Sequence, residues 1–310
     1  MRKTFASALF LCSSLSGCGL TSLQKQEVTQ FATATESISD ISITQFKSTR
    51  DKIIELERRR LILRAGSPPK TPLLDAGLTA EGVAKQISAL NALKAYGKVL
   101  EELASNDQGE AISASASNLA TQFEAAKKAQ DSNYSLDEKK KAAVVNSFQV
   151  AGSWFTEAKK KEYLKKIIDA YHDEVVVFAT AMRNDLVLDE NSLCIPENNR
   201  KPPTNNSGII DIYCTSALAL DQVASSVLLD TGHTKSDREF SYNSYFLAQQ
   251  ALAEITPISK QGEEVIKKLL TANSKLENII ENDKYTQNDV KAYYQQVNEI
   301  RTIINVMRED

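Results

Sequence analysis

The chain has 310 residues, with 37 basic and 40 acidic side chains and a formal net charge of −3. A mildly acidic balance excludes the strongly basic class of nucleic-acid binders, which need clustered Lys and Arg to neutralise phosphates. Glycine and proline number only 11 and 7, too few for the many tight turns of an all-β fold and in keeping with an all-α one.

Met1-Arg2-Lys3-Thr4 carries two cations and no acid, and residues 5–15 (FASALFLCSSL) are apolar or small throughout. That run is too short to cross a bilayer as a helix, which takes roughly 20 residues. A basic start, a short apolar stretch and small residues at its end read as a secretory signal peptide. The stretch closes on Leu15-Ser16-Gly17-Cys18 rather than on an Ala-x-Ala pattern. This resembles the lipobox of bacterial lipoprotein precursors, and the resemblance covers residues 1–18 only. It implies that the Cys18 thiol receives a diacylglyceryl group, that a peptidase cuts between Gly17 and Cys18, and that the new amino terminus is acylated as well. Two or three acyl chains make a stable anchor, where one is marginal. Gly19 stands where aspartate commonly retains such proteins in the inner membrane, so the resemblance favours the outer membrane, facing the periplasm. Residues 1–17 are then removed, Cys12 among them. Residues 18–20 form the lipid anchor and a very short tether, and residues 21–310 form a helical periplasmic domain.

Thr21 and Gln24 have the spacing of a capping box. From there to Ala65, Phe31, Ala34, Ile38 and Ile41 recur at helical spacing, slip near Phe46, and resume at Ile53, Leu56 and Leu63. The pattern predicts one long amphipathic helix, or two with a bend. Arg58–Arg60 lie in its last turns, where the macrodipole favours cations. That run is a solvated helix end or, alternatively, a site for anionic headgroups. Residues 67–72 (SPPKTP) are a stiff connector.

Thr79 is placed to cap the next helix, with Val83, Ile87, Leu90, Leu93, Gly97 and Leu100 as its stripe. Residues 105–110 break it, and the Ala- and Ser-rich run 110–130 predicts a weak helix suited to a tight interface. Ser135 and Glu138 suggest another cap. The strongest segment follows. Leu164, Ile168, Tyr171, Val175, Phe178 and Met182 form a heptad-like seam, and Val144, Phe148, Ala151 and Phe155 extend its rhythm upstream, predicting a helix over about 136–187.

Cys194 and Cys214 bracket the most polar, turn-rich stretch of the chain. In an oxidising compartment they predict a structural disulfide. Their spacing lacks the C-x-x-C form of redox pairs. Residues 186–190 and 208–214 offer an alternative as a short hairpin across that bond. Beyond it, 209–230 reads as a helix closed near Gly232. Ser236 and Glu239 are placed to cap a helix running to Thr256, and Pro257 suits the first turn of another. Thr286 and Asp289 suggest a last cap. The sum is an all-α elongated bundle of about six to eight helices with coiled-coil-like seams and one disulfide-closed loop at 194–214.

Catalytic patterns are missing. His172 with Asp169 supplies at most two ligands, where catalytic zinc takes three, and His233 reads as a loop residue. No serine stands in G-x-S-x-G, and there is no phosphate-binding or dinucleotide fingerprint. The sequence implies no cofactor, no metal and no catalytic residue. The expectation is a non-enzymatic, membrane-anchored envelope lipoprotein that presents its helical body to a protein partner or as a scaffold. The alternatives are a cell-wall-active enzyme using paired carboxylates and a periplasmic inhibitor or immunity-type protein.

Overall fold

Helix α1 (Ser22–Leu63) starts where the sequence places its cap. The Thr21 side-chain oxygen accepts from the Gln24 N–H at 3.1 Å, while Gln24 Oε1 accepts from the Thr21 N–H at 3.0 Å. The computed structural model describes residues 19–64, 78–106, 108–130, 156–189, 192–194 and 208–281. The other helices are α2 (Ala80–Ser105), α3 (Gly109–Gln130), α4 (Glu157–Leu186), α5 (Ile209–Leu229) and α6 (Lys235–Glu281). There is no strand among the described residues, and the helical bundle expected from composition is what forms. The possible caps at Ser135 and Thr286, the connector at 67–72 and the upstream part of the α4 seam lie outside the described residues.

α1 is a single helix of 42 residues, about 63 Å long at 1.5 Å per residue. The slip at Phe46 is no break. Ser42 and Thr49 occupy the buried face between Ile38 and Ile53, so the seam continues through polar residues. Such residues tolerate burial when their hydroxyls find the carbonyl one turn back. Thr35 does so on Phe31 and Ser39 on Thr35, each at 2.9 Å.

α2 runs antiparallel to α1. Lys94 pairs with Asp40 at 2.7 Å, and Gly97 lies against Ala32 and Glu36. A Cβ at Gly97 would come within 2.8 Å of the Ala32 carbonyl oxygen, so glycine is what lets the two backbones approach. α3 returns along α2 after a turn in which Asn106 Oδ1 accepts from the Gln108 N–H at 2.9 Å. Its buried Ile112, Ala116, Leu119 and Phe123 fit the tight interface expected of it.

α4 starts at Glu157, with Thr156 in extended conformation as its N-cap. The helix expected over 136–187 is therefore interrupted at Thr156, whose side chain accepts from the Lys159 N–H. A local cap outranks a heptad rhythm that continues across it. The seam itself is buried as expected from Leu164 to Met182. Phe123 of α3 meets it, with ring centroids 4.5 Å from Tyr171 and 5.2 Å from Phe178.

α5 begins where α4 ends, and α6 packs back along both. Tyr213 reaches Glu254 at 3.3 Å and Ser241 donates to the Ala224 carbonyl at 2.7 Å. Further on, Arg183 pairs with Glu263 and Asn273 with His172. α5 is long and apolar enough to cross a membrane, but its Ile210, Tyr213, Ala217, Leu220 and Ala224 are buried in the bundle. Of residues 208–214, offered as half of a hairpin, Gly208 is an N-cap and 209–214 are helical instead.

Two further boundaries differ from expectation. The cap of α6 is formed by Thr234 and Asp237, two residues before the Ser236–Glu239 pair: Thr234 Oγ1 accepts from the Asp237 N–H at 3.2 Å and Asp237 Oδ2 from the Thr234 N–H at 3.1 Å. Pro257 starts no new helix. It lies inside the 47-residue α6. Its missing N–H frees the Ala253 carbonyl, and Ala253, Thr256 and Pro257 all lie on the exposed face, where water can replace the lost bond. Ile255 and Ser259 on the inner face stay buried and hold the helix through.

Candidate functional site

The geometry centres on the end of the bundle where the described chain begins. Leu20 is buried and its N–H donates to the Glu157 carbonyl at 3.4 Å. A Cβ on Gly19 would stand 2.8 Å from Glu157 Cβ, so the smallest residue is required for this approach. Lys25 Nζ lies 2.7 Å from Glu157 Oε1, and Lys160, whose side chain is 1% exposed, reaches the same oxygen at 3.3 Å. Gln24 Nε2 donates to the Ile279 carbonyl at 3.2 Å. The start of α1, the start of α4 and the end of α6 thus meet at one corner, immediately after residue 18. Cys18 and Gly17 themselves lie outside the described residues.

This corner brings together what the sequence did not. Arg58–Arg60, the run considered for headgroups, stands at the other end of α1, about 55 Å along the helix. Arg58 and Arg59 pair with Glu55 at 2.7 and 2.6 Å, and Arg60 pairs with Glu57. They form the solvated helix end. The lysines at the start of α4 lie beside Gly19 instead. Nothing local in the sequence relates residues 19 and 157; the near-absence of a tether was the one available signal.

At the middle of the rod, Cys194 and Cys214 have their sulfurs 2.09 Å apart, so the expected disulfide pairs. It ties the passage between α4 and α5 to the second turn of α5. Asp211 Oδ2 accepts from the Asp189 N–H at 3.2 Å, and Ser259 Oγ accepts from the Leu188 N–H at 2.9 Å. Gly208 fits here because a Cβ would fall 2.1 Å from the Asn184 carbonyl oxygen.

The histidines hold no metal set. His172 faces α6, with Nδ1 3.2 Å from Asn273 Nδ2 and 3.5 Å from Glu277 Oε2. Asn273 also accepts from the Tyr96 hydroxyl at 3.2 Å. This polar cluster locks α2, α4 and α6 together. His233 lies in the α5–α6 turn, as expected, 3.5 Å from Asp230. No group of three or more metal-ligating side chains occurs among the described residues.

Burial raises several carboxyl groups. Desolvation pushes Glu27 and Asp185 up to about 7 each, and Glu36 and Asp211 are raised chiefly by the same cause. Glu27 lies near the start of α1 and Asp185 at the far end of α4, a helix about 45 Å long, so these two do not face each other across a cleft. One apolar gap lies between Ile38, Met182, Gly262 and Val265, with a volume of about 10 Å³. It has room for one water at most.

The far end of the rod exposes several large apolar side chains among its charged ones. Tyr242 and Phe246 meet edge-on with centroids 4.6 Å apart, Tyr245 adds a third ring at 5.9 Å, and Phe246 is 52% and Leu229 84% exposed. No protein-family model matches this chain, and neither a curated protein nor a solved structure matches it.

Proposed function

We propose that this chain is a bacterial envelope lipoprotein, anchored through lipid on Cys18 in the outer membrane, as the Gly19 after that cysteine favours, and non-enzymatic. Its helical body is presented in the periplasm to a protein partner or as a scaffold. The observation that carries the reading is the succession Leu15-Ser16-Gly17-Cys18, then a helix cap at Thr21. A signal ending in an acylated cysteine needs a water-compatible body directly behind it, and the bundle starts there. The Cys194–Cys214 pair supports the same compartment, since disulfides persist where the surroundings oxidise.

Membrane fractionation of cells carrying the full-length chain or its Cys18→Ser variant tests the reading. Wild type is expected in the membrane fraction with acyl mass on Cys18, and the variant in the soluble periplasmic or unprocessed pool. Wild-type protein with an intact residue 1–17 segment and unmodified Cys18 overturns it.

A further inference from the structure

The outer face of α6 differs from that of α1. A surface helix ordinarily turns a charged face to water, and α1 does so with Asp40, Lys47, Asp51 and Lys52. On α6, no exposed residue from Tyr242 to Pro257 carries a charge. Tyr242, Phe246, Gln249, Ala253 and Pro257 succeed one another along that face at steps of three and four residues, the spacing that lines up one side of a helix. Charges of opposite sign bound it. Glu239 lies one turn before Tyr242 and Lys260 one turn after Pro257, both exposed and neither in an ion pair among the described residues.

The order along this face is complementary to its own reverse. Measured from the point between Gln249 and Gln250, Phe246 lies as far out as Ala253, Tyr242 as far as Pro257, and Glu239 as far as Lys260. A large side chain is matched by a small or flat one, and an acid by a base. Lys235 and Glu264, also exposed, extend the match by one more turn, although Glu264 also reaches Lys268 at 3.4 Å.

We propose that this face docks a second copy of the same chain, antiparallel, about a two-fold axis between Gln249 and Gln250. A two-fold contact uses one patch on both copies, so each pairing occurs twice. The Phe246 ring of one copy lies on Ala253 of the other, the Tyr242 ring on Pro257, and Glu239 reaches Lys260. The rings supply the attraction through apolar area taken from water. Exposed ion pairs add little energy, but they set orientation. A parallel pairing would bring Glu239 against Glu239 and Lys260 against Lys260. A contact along one helix face is narrow, so the pair is reversible. The starts of α1, which meet α6 at Ile279, then stand at opposite ends of the pair, about 90 Å apart at 1.5 Å per residue. The inference does not use the lipid-anchor reading.

Cysteine crosslinking of the full-length chain in nonionic detergent, with a short bismaleimide, tests the contact and its direction. The yield of the wild-type chain is the baseline. Gln249→Cys, beside the axis, is expected to give covalent dimer several-fold above it. Glu239→Cys alone is expected to stay at baseline, since its two copies stand about 30 Å apart. A mixture of Glu239→Cys and Lys260→Cys chains is expected to crosslink. Within the Gln249→Cys chain, Glu239→Lys is expected to lower the yield several-fold, and adding Lys260→Glu to restore it. Baseline yield from Gln249→Cys overturns the contact. Strong crosslinking of Glu239→Cys alone overturns the antiparallel direction, and a charge swap that restores nothing overturns the register.

Discussion

The two halves of the rod share α1 and α6 and differ in what surrounds them. In the half that holds the start of α1, α2, α3 and α4 close around these two helices, and Phe31, Tyr96, Phe123 and Phe178 are fully buried there. In the far half, α1 and α6 are joined chiefly by α5, and large apolar side chains such as Phe246 and Leu229 lie at the surface. The far half compensates with links other than burial. A disulfide ties the start of α5, Lys52 bridges to Glu254 at 2.5 Å beneath Tyr213, and the Arg59 guanidinium lies 5.5 Å from the Phe240 ring. Packing on all sides stabilises through apolar area removed from water. A thinner bundle buries less per residue and gains from covalent and shared-helix constraints.

If that contrast is right, truncating a core ring in the half at the start of α1 is the most damaging change. Phe178→Ala should cost about 3–5 kcal/mol through lost burial and the cavity left behind, read by chemical denaturation. Tyr242→Ala, a ring of the far half, should fall within about 0.5 kcal/mol of wild type. Equal losses at both would break the comparison. The disulfide gives the next largest effect. Cys194→Ser should cost about 3 kcal/mol by the chain-entropy account, and hydrogen exchange should quicken in α5 before α3. Faster exchange in α3 first would place the constraint in the wrong half.

The third test sharpens the same comparison through pH. Glu27 and Asp185 are held at about 7 in the folded chain, above the ordinary carboxylate value of about 4.3 or lower. The folded state therefore binds more protons than the unfolded one across that window. Stability from these groups is full below the unfolded value and is lost as pH rises through 7. The chain should be more stable at pH 5 than at pH 8, with Glu27 contributing at most about 3 kcal/mol of the difference. Glu27→Gln, which removes the buried charge, should flatten that part of the profile. An unchanged profile would mean that Glu27 is ionised and compensated in the fold.

Much of the secondary structure was legible because its signals are local. Thr21 with Gln24, Thr79 before α2, and the seam from Leu164 to Met182 each act within a turn or two. The misreadings were local signals that a neighbour overruled. Pro257 reads as a helix start, yet α1 and α4 bury the inner face around it. The rhythm at Phe155 reads as continuous, yet Thr156 caps a new helix. Ser42 and Thr49 looked like a slip because their burial depends on what packs against them. The disulfide was legible from compartment and count, but its role in turning α4 into α5 was not.

By itself, the sequence determined that the described body is helical, that Thr21 and Thr79 cap α1 and α2, and that a lipobox-like run precedes the body. Each of these rests on residue type and spacing within a few positions. Only the tertiary structure decided which basic run stands near Gly19. The arginines at 58–60 were the visible candidate, and they are carried away by the length of α1. The lysines at 159 and 161 are brought in because Glu157 docks on Gly19 and Leu20, a contact between distant parts of the chain that no periodicity encodes.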